Sequence, residues 1–455
     1  MGNISRNSLE RIAMKPFFVG VMLMVAGTVA TGAAMPPIVE DPALDKMLQD
    51  SRAEFFKSQK KDARLYASIL VKEADGSWHH GQMDGDTTSY PASTVKLCYL
   101  AAAMHYASEN KLPIDWLDKS VGPMIRVSSN EATGEVIDAI TGAPNTDTGD
   151  FNAWVEKRRY TERYLRSLGL LGNQNVLNKT YPSNSSEDPE KFEGQSLKVN
   201  GRNALNPNMM SKLMLGIATG EIEPKAHDYM VSLLTHDRWS LQAPFGSGVP
   251  AGSVYFNKGG WVNSTLADVA YVKLPNGREF VLAAYSDLHN PSDPDPYMNA
   301  PLGVFLDVLL QKSGLEAGDP ATIRLDNTDA SFVAKGEWKT ETKDTDKYGP
   351  DYVFADAGGD QVAGWRITLP EAGRYEVSVW WTDGPQRSPA ASIIVTGANG
   401  AETKTVDQRK AGGVWVKLGD FDFAKEGGSV AFKAKESLPG TVAVDALRVQ
   451  KIFNK

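Results

Sequence analysis

Three short segments of the 455-residue chain carry side chains whose types and spacing suit nucleophilic catalysis. The first is Tyr90-Pro91-Ala92-Ser93-Thr94-Val95-Lys96, followed by the apolar run Leu97 to Met104. Pro91 and Ser93 are helix-start residues, so Ser93 and Lys96 fall on the same face of a first turn. A hydroxyl there lies beside backbone N–H groups at the positive end of the helix dipole, where an oxyanion is stabilised. A lysine desolvated against the same helix gives up its proton more easily and can activate that hydroxyl. The spacing alone is unspecific. Ser93 also fits a helix cap, and Ser58 with Lys61 repeats the pattern in a charged stretch with no apolar successor.

The second segment, Ser128-Ser129-Asn130, sits between Met124-Ile125-Arg126 and a helical stretch from Glu131 to Ile140. The third, Lys258-Gly259-Gly260-Trp261, ends the apolar strand Val254 to Phe256. In order and context the three segments resemble the serine β-lactamase and penicillin-binding protein superfamily, class A-like in layout, over residues 41–316. The resemblance implies Ser93 as nucleophile and Lys96 as its base or proton shuttle. It implies Ser128 as relay to the leaving nitrogen, Asn130 as a substrate-orienting group and Lys258 as the positive charge facing a substrate carboxylate. The backbone N–H groups of Ser93 and Trp261 would form the oxyanion hole. Gly259 and Gly260 would let a substrate approach the strand backbone closely.

The departures from that family bear on turnover. Ser129 stands where the family has aspartate, and Gly259 replaces a hydroxyl residue expected to contact the substrate carboxylate. In Leu177-Asn178-Lys179-Thr180-Tyr181-Pro182-Ser183-Asn184, which resembles the family's omega loop, Tyr181 stands where a glutamate activates the deacylating water. A tyrosine of ordinary pKa, about 10, is a poor base at neutral pH. Glu187, Glu190 and Glu193 follow and are the acidic residues able to substitute, though such residues also fit a solvated loop.

The elements that must position these groups are readable from periodicity. Leu44, Met47, Leu48 and Phe55 make one helical face, and Leu65, Ala67, Ile69 and Val71 alternate as a half-buried strand. Asp75-Gly76 and Pro275-Asn276-Gly277 are hairpin turns. Leu302, Phe305, Leu306, Leu309 and Leu310 form a final apolar stripe. The expectation is an α+β domain, an antiparallel sheet flanked by helices with both chain ends in one layer. Helical periodicity breaks at Gly314, Gly318 and Pro320, and short strands separated by turns follow, as in an all-β sandwich. Residues 323–455 resemble golvesin C-terminal-like domains, related to carbohydrate-binding β-sandwiches, at Gly336-Glu337-Trp338, Gly373 to Val377, Val406-Asp407-Gln408, Trp415 and Val444-Asp445-Ala446. Trp338, Trp365, Trp380, Trp381 and Trp415 make a heavy aromatic load; most are expected to fill the core, with at most one or two touching sugar.

Arg6, Arg11 and Lys15 precede an uncharged run from Pro16 to Ala34, the order of an export signal cleaved near Ala34; an uncleaved anchor is the alternative. With 42% hydrophobic and 23% charged residues the chain has a globular composition, and its net charge of -8 without basic clusters argues against nucleic acid. A single cysteine, Cys98, excludes an internal disulfide and reads as a core residue. His79 and His80 point to opposite faces of a strand, and His236-Asp237 reads as a surface turn, so no metal and no cofactor are expected. The reading is an exported serine hydrolase acting on β-lactams or cell-wall-type amides and esters, with possible polysaccharide binding by the sandwich. The alternatives are a penicillin-binding peptidase or esterase, or a catalytically silent surface protein.

Overall fold

Hairpin chemistry builds the first sheet. β2 (Leu65–Lys72) turns through Gly76, at φ +88°, into β3 (Trp78–Met83), and β5 (Thr265–Lys273) turns through Gly277, at φ +87°, into β6 (Glu279–Ser286). With β1 (Ile38–Glu40) and β4 (Val254–Val262) these strands form a six-stranded sheet in the order β1-β3-β2-β6-β5-β4. Its pairs are antiparallel, as expected, apart from the short β1, which runs parallel to β3. The computed structural model describes residues 35–60, 62–173, 177, 191–290, 300–317 and 321–453. The export-signal segment, Lys61, the break at Gly318 to Pro320 and Tyr181 with Glu187 and Glu190 lie outside the described residues.

Helices cover both faces. α1 (Pro42–Phe55), capped by Asp41 Oδ1 on Ala43 N at 2.9 Å, packs beside the helix that ends this part of the chain, on one face. On the other lie α2 (Lys96–Glu109), α3 (Asp118–Arg126), α4 (Asn130–Thr141), α5 (Phe151–Arg158), α6 (Tyr160–Ser167), α7 (Phe192–Asn200), α8 (Pro207–Ala218) and α9 (His227–Leu234). The helix beside α1 is α10 (Pro301–Ser313). Because α8 sits on β2 from one side and α1 from the other, β2 is buried on both faces. The half-buried strand read from its alternation is therefore a central one, in which Ser68 is accommodated by Ser211 Oγ at 2.8 Å and His80 Nε2 at 3.0 Å.

The C-terminal region is all β. β8 (Phe332–Lys335), β11 (Val362–Ile367), β13 (Ala391–Gly397), β14 (Gly400–Val406) and β16 (Gly428–Lys433) form a five-stranded antiparallel sheet. β7 (Thr322–Asp326), β12 (Gly373–Trp380), β15 (Val416–Phe423) and β18 (Ala446–Lys451) form a four-stranded one. A third, smaller sheet holds β9 (Lys339–Glu341), β10 (Tyr352–Asp356) and β17 (Thr441–Val444). Trp365, Trp380, Trp381 and Trp415 are enclosed in the core between the sheets, which leaves Trp338, half-buried, as the member of that set at the surface.

That core is continuous with the α1/α10 face of the first sheet. At the junction the buried Asp307 of α10 accepts from Arg324 Nη2 at 2.6 Å, Trp415 Nε1 at 3.1 Å and Arg448 Nη1 at 3.5 Å. Burial alone would raise the Asp307 carboxyl, but Arg324 and Arg448 hold it below the usual carboxylate range. A second link joins Glu376 of β12 to Arg238 and to Trp239 Nε1, the latter at 2.8 Å.

Candidate active site

Ser93 lies in a tight turn, Ala92 to Val95, that runs directly into α2. Ala92 just before it adopts φ +47°, a strained conformation for a residue with a side chain. Thr94 locks the turn by donating to Pro91 O at 2.7 Å and pairing with Tyr285 OH of β6 at 3.1 Å. The Ser93 side chain caps neither this turn nor α2. Instead Ser93 Oγ accepts from Lys96 Nζ at 3.3 Å.

Lys96, 1% exposed, is the hub. Its ammonium group also reaches Ser128 O at 2.5 Å, Ser128 Oγ at 3.2 Å and Asn130 Oδ1 at 2.8 Å. Ser128 can present both its carbonyl and its hydroxyl because it sits between α3 and α4 at φ +58°. The neighbouring Ser129 hydroxyl caps α4 by accepting from Ala132 N at 3.1 Å. Ser129 thereby fixes the helix start from which Asn130 reaches Lys96.

From the sheet, Lys258 of β4 donates to Ser128 Oγ at 3.1 Å and to Gly259 O at 2.7 Å. It is fully buried, and burial pushes its ammonium down to about 7, with Asp268 opposing the fall. Gly260 lies against the nucleophile turn: a Cβ there would stand 2.5 Å from Ser93 N and 2.8 Å from Thr94 N. Any side chain at 260 would displace the turn. Gly259 differs from its sequence reading. A Cβ at 259 would meet Gln242 O and Pro244 Cδ, both at 2.6 Å, so the missing hydroxyl points at the loop before β4, and a larger residue would collide with it. Trp261 follows, half-buried, with its ring packed against the α1/α10 core.

The structure thus brings together Ser93, Lys96, Ser128, Asn130, Lys258 and Gly260, from the turn that enters α2 and the first residue of α2, the α3–α4 loop and the first residue of α4, and β4. Tyr181 lies outside the described residues. Glu193, named above as a substitute base, is instead buried in an ion pair with Arg158 of α5 at 3.0 Å.

One neighbour escaped the sequence reading. His236 is no surface turn residue: its Nδ1 lies 3.1 Å from Asn257 Oδ1, the residue before Lys258. Burial, reinforced by the Lys258 charge, lowers its pKa. Asn257 in turn donates to Asp268 Oδ1 and Gln242 O, both at 2.8 Å, so a polar row underlies the Lys258 strand. Nothing in local spacing reveals that the chain after α9 returns to β4.

As a set, these groups form a continuous chain from Lys258 through Ser128 and Lys96 to Ser93, able to pass a proton between a nucleophilic hydroxyl and a leaving group.

Residues 117–300 match the Beta-lactamase enzyme family, a stretch holding Ser128, Asn130 and Lys258, while Ser93 and Lys96 precede it. Residues 323–451 match the Golvesin C-terminal domain. Golvesin from Dictyostelium discoideum is 29% identical over 396 residues, 84% of this chain and 68% of that protein. A xanthan lyase from Bacillus sp. (strain GL1) is 37% identical over 142 residues, 30% of this chain and 15% of the lyase. Among solved structures, PBP-A aligns over 61% of this chain and 98% of its own, at 18% identity and a TM-score of 0.44. The β-lactamase from Sphaerobacter thermophilus DSM 20745 aligns over 59% of this chain and 98% of its own, at 18% identity and a TM-score of 0.43.

Proposed function

We propose that this β-lactamase-like domain, followed by a golvesin-type all-β domain, belongs to an exported serine hydrolase that forms an acyl-enzyme through Ser93. The observation that carries the reading is the single ammonium group of Lys96 joining Ser93 Oγ, Ser128 Oγ and Asn130 Oδ1. Lys96 in its neutral form takes the Ser93 proton as Oγ attacks a carbonyl carbon. The negative charge then developing on the carbonyl oxygen meets the backbone N–H groups of Ser93 and Trp261. Ser128, held between Lys96 and Lys258, hands a proton to the departing nitrogen, and Lys258 supplies positive charge for an acidic substrate group.

Substrates are β-lactams or cell-wall-type amides and esters. Tyr181 in place of the glutamate of the resembled family favours a second reading within the same chemistry, a penicillin-binding peptidase or an esterase, because it removes the base for hydrolysis. Residues 41–316 are the proposed catalytic unit, and 323–455 a non-catalytic module that takes polysaccharide, a reading supported by the likeness to a xanthan lyase. The test is intact-mass spectrometry after incubation with a penicillin and, separately, a fluorophosphonate. One adduct per chain, mapped to Ser93, supports the proposal; no adduct with either probe makes the domain catalytically silent.

A further inference from the structure

The all-β region carries a second polar cluster, far in sequence from Ser93. Asp326 ends β7, Asn327 follows it, and Asp445 lies between β17 and β18. Asn327 N donates to Asp445 O at 2.8 Å, which sets the two residues side by side. The loop before β10 closes over them. Tyr348 N donates to Asp445 Oδ2 at 3.1 Å, a Cβ on Gly349 would stand 2.1 Å from Asp326 Oδ2, and Asn327 Nδ2 donates to Asp351 Oδ1 at 2.6 Å.

Three oxygens of this cluster are shielded from solvent and have no hydrogen-bond donor among the described residues: Asp445 Oδ1, Asn327 Oδ1 and Asp326 Oδ2. Asp445 is fully buried and Asn327 is 8% exposed. Buried polar atoms are nearly always paired, and buried carboxylates pair with cations or bind metals. Here the charges bearing most on Asp445 are those of Asp326, Asp346 and Asp351, all negative. Burial and these neighbours raise the Asp445 carboxyl well above the usual range, and burial raises Asp326 as well.

We propose that Asp326, Asn327 and Asp445 bind one Ca²⁺ ion that ties the adjacent strands β7 and β18 together beneath the loop before β10. The donors are all oxygen, which selects a hard cation over zinc or copper. They come from separate segments at irregular spacing, which suits the adaptable six- to eight-fold coordination of Ca²⁺ better than the strict octahedron of Mg²⁺. No three His, Cys, Asp or Glu side chains among the described residues are grouped to hold a metal by themselves; in this cluster the third oxygen is an amide. Gly349 fits the same picture, since its missing side chain is what leaves room for Asp326 Oδ2.

The rival account of the same geometry is a proton held between Asp445 and Asp326. The full chain, stripped with EGTA and dialysed, separates the two in calorimetric titration and thermal melting with CaCl₂, and with MgCl₂ as control. Ca²⁺ binding with a dissociation constant at or below about 1 mM, and a melting temperature raised by about 3 °C at tenfold that concentration, is the expected result. Asp445→Asn should abolish both. If that variant does not fold, Asp326→Asn, at a partly exposed position, should weaken binding at least about tenfold. Absence of both heat and melting shift up to about 10 mM CaCl₂ overturns the site in favour of the shared proton, and an equal response to Mg²⁺ overturns the assignment to Ca²⁺. Neither readout depends on Ser93.

Discussion

Lys96 and Lys258 share one acceptor: Ser128 Oγ lies 3.2 Å from the first ammonium group and 3.1 Å from the second. Two cations on one hydroxyl repel each other, and both are almost completely buried. The strain is relieved when one of them is neutral, and the contacts around Lys96 differ from those around Lys258. Each is held by a backbone carbonyl, Ser128 O for Lys96 and Gly259 O for Lys258, but of the two only Lys96 also reaches Ser93 Oγ and Asn130 Oδ1. On the proposed mechanism this asymmetry suits Lys96 as the base toward Ser93, with Lys258 as the group whose charge, present below about pH 7, faces the substrate.

The nucleophile assignment is checked by covalent labelling. Ser93→Ala should abolish adduct formation with a fluorophosphonate while leaving circular dichroism and melting unchanged, because Ser93 caps no helix. Lys96→Ala should slow labelling at least about 100-fold, the range expected for loss of a general base. Labelling that persists in Ser93→Ala would sink the assignment.

The pH dependence of labelling should differ between charged and neutral probes. Lys258 is pushed down to about 7 by burial, so it carries its positive charge below that pH and loses it above. Labelling by a penicillin, whose carboxylate needs that charge, should therefore fall as pH rises through about 7. Labelling by a neutral ester probe should lack that particular loss. Lys258→Ala should reduce the penicillin rate at pH 6 and flatten the difference between the probes. Profiles that stay parallel in the wild type would place the carboxylate contact elsewhere.

The Ser93/Lys96 pair was legible because both residues belong to one helical turn, where spacing alone fixes proximity. The two hairpins were legible for the same local reason, a Gly at positive φ between apolar strands. Sheet order was not, since the approach of β2 to β6 joins segments that share no local signal. His236 beside Asn257 was missed on the same ground. In the all-β region the succession of short strands and turns was legible as a whole, whereas Lys339–Glu341 and Gly400–Val406 carry no apolar alternation to mark them. Both are edge strands, exposed and polar, so burial leaves no pattern in them. The apolar stretch that ends the region is two strands, Thr441–Val444 and Ala446–Lys451, interrupted at Asp445.

Asp307 makes the junction a stability determinant. It compensates Arg324 and Arg448, and no feature of its helical stripe marks it as different from a surface acid. Asp307→Ala leaves two guanidinium groups without that carboxylate in a buried setting and should cost about 3–5 kcal/mol in urea unfolding. A cost under about 1 kcal/mol, the range of exposed ion pairs, would mean that water reaches the junction.

Turnover is where Tyr181 decides. On the proposed mechanism acylation uses Ser93, Lys96 and the backbone N–H groups, while hydrolysis of the ester needs a base over its carbonyl carbon. Glu193 is buried in its ion pair with Arg158. The two half-reactions should therefore uncouple. A chromogenic β-lactam should give a burst of about one equivalent followed by slow turnover, the kinetic mark of an accumulating acyl-enzyme. Tyr181→Glu should accelerate the slow phase and leave the burst nearly unchanged. Rapid steady turnover by the wild type that survives Tyr181→Phe would assign the base to another residue, with Glu187 and Glu190 the next to replace. No burst alongside rapid labelling by an ester-directed probe would move the substrate from lactams to esters or peptides, because the nucleophile would then be competent and the lactam ring simply not accommodated.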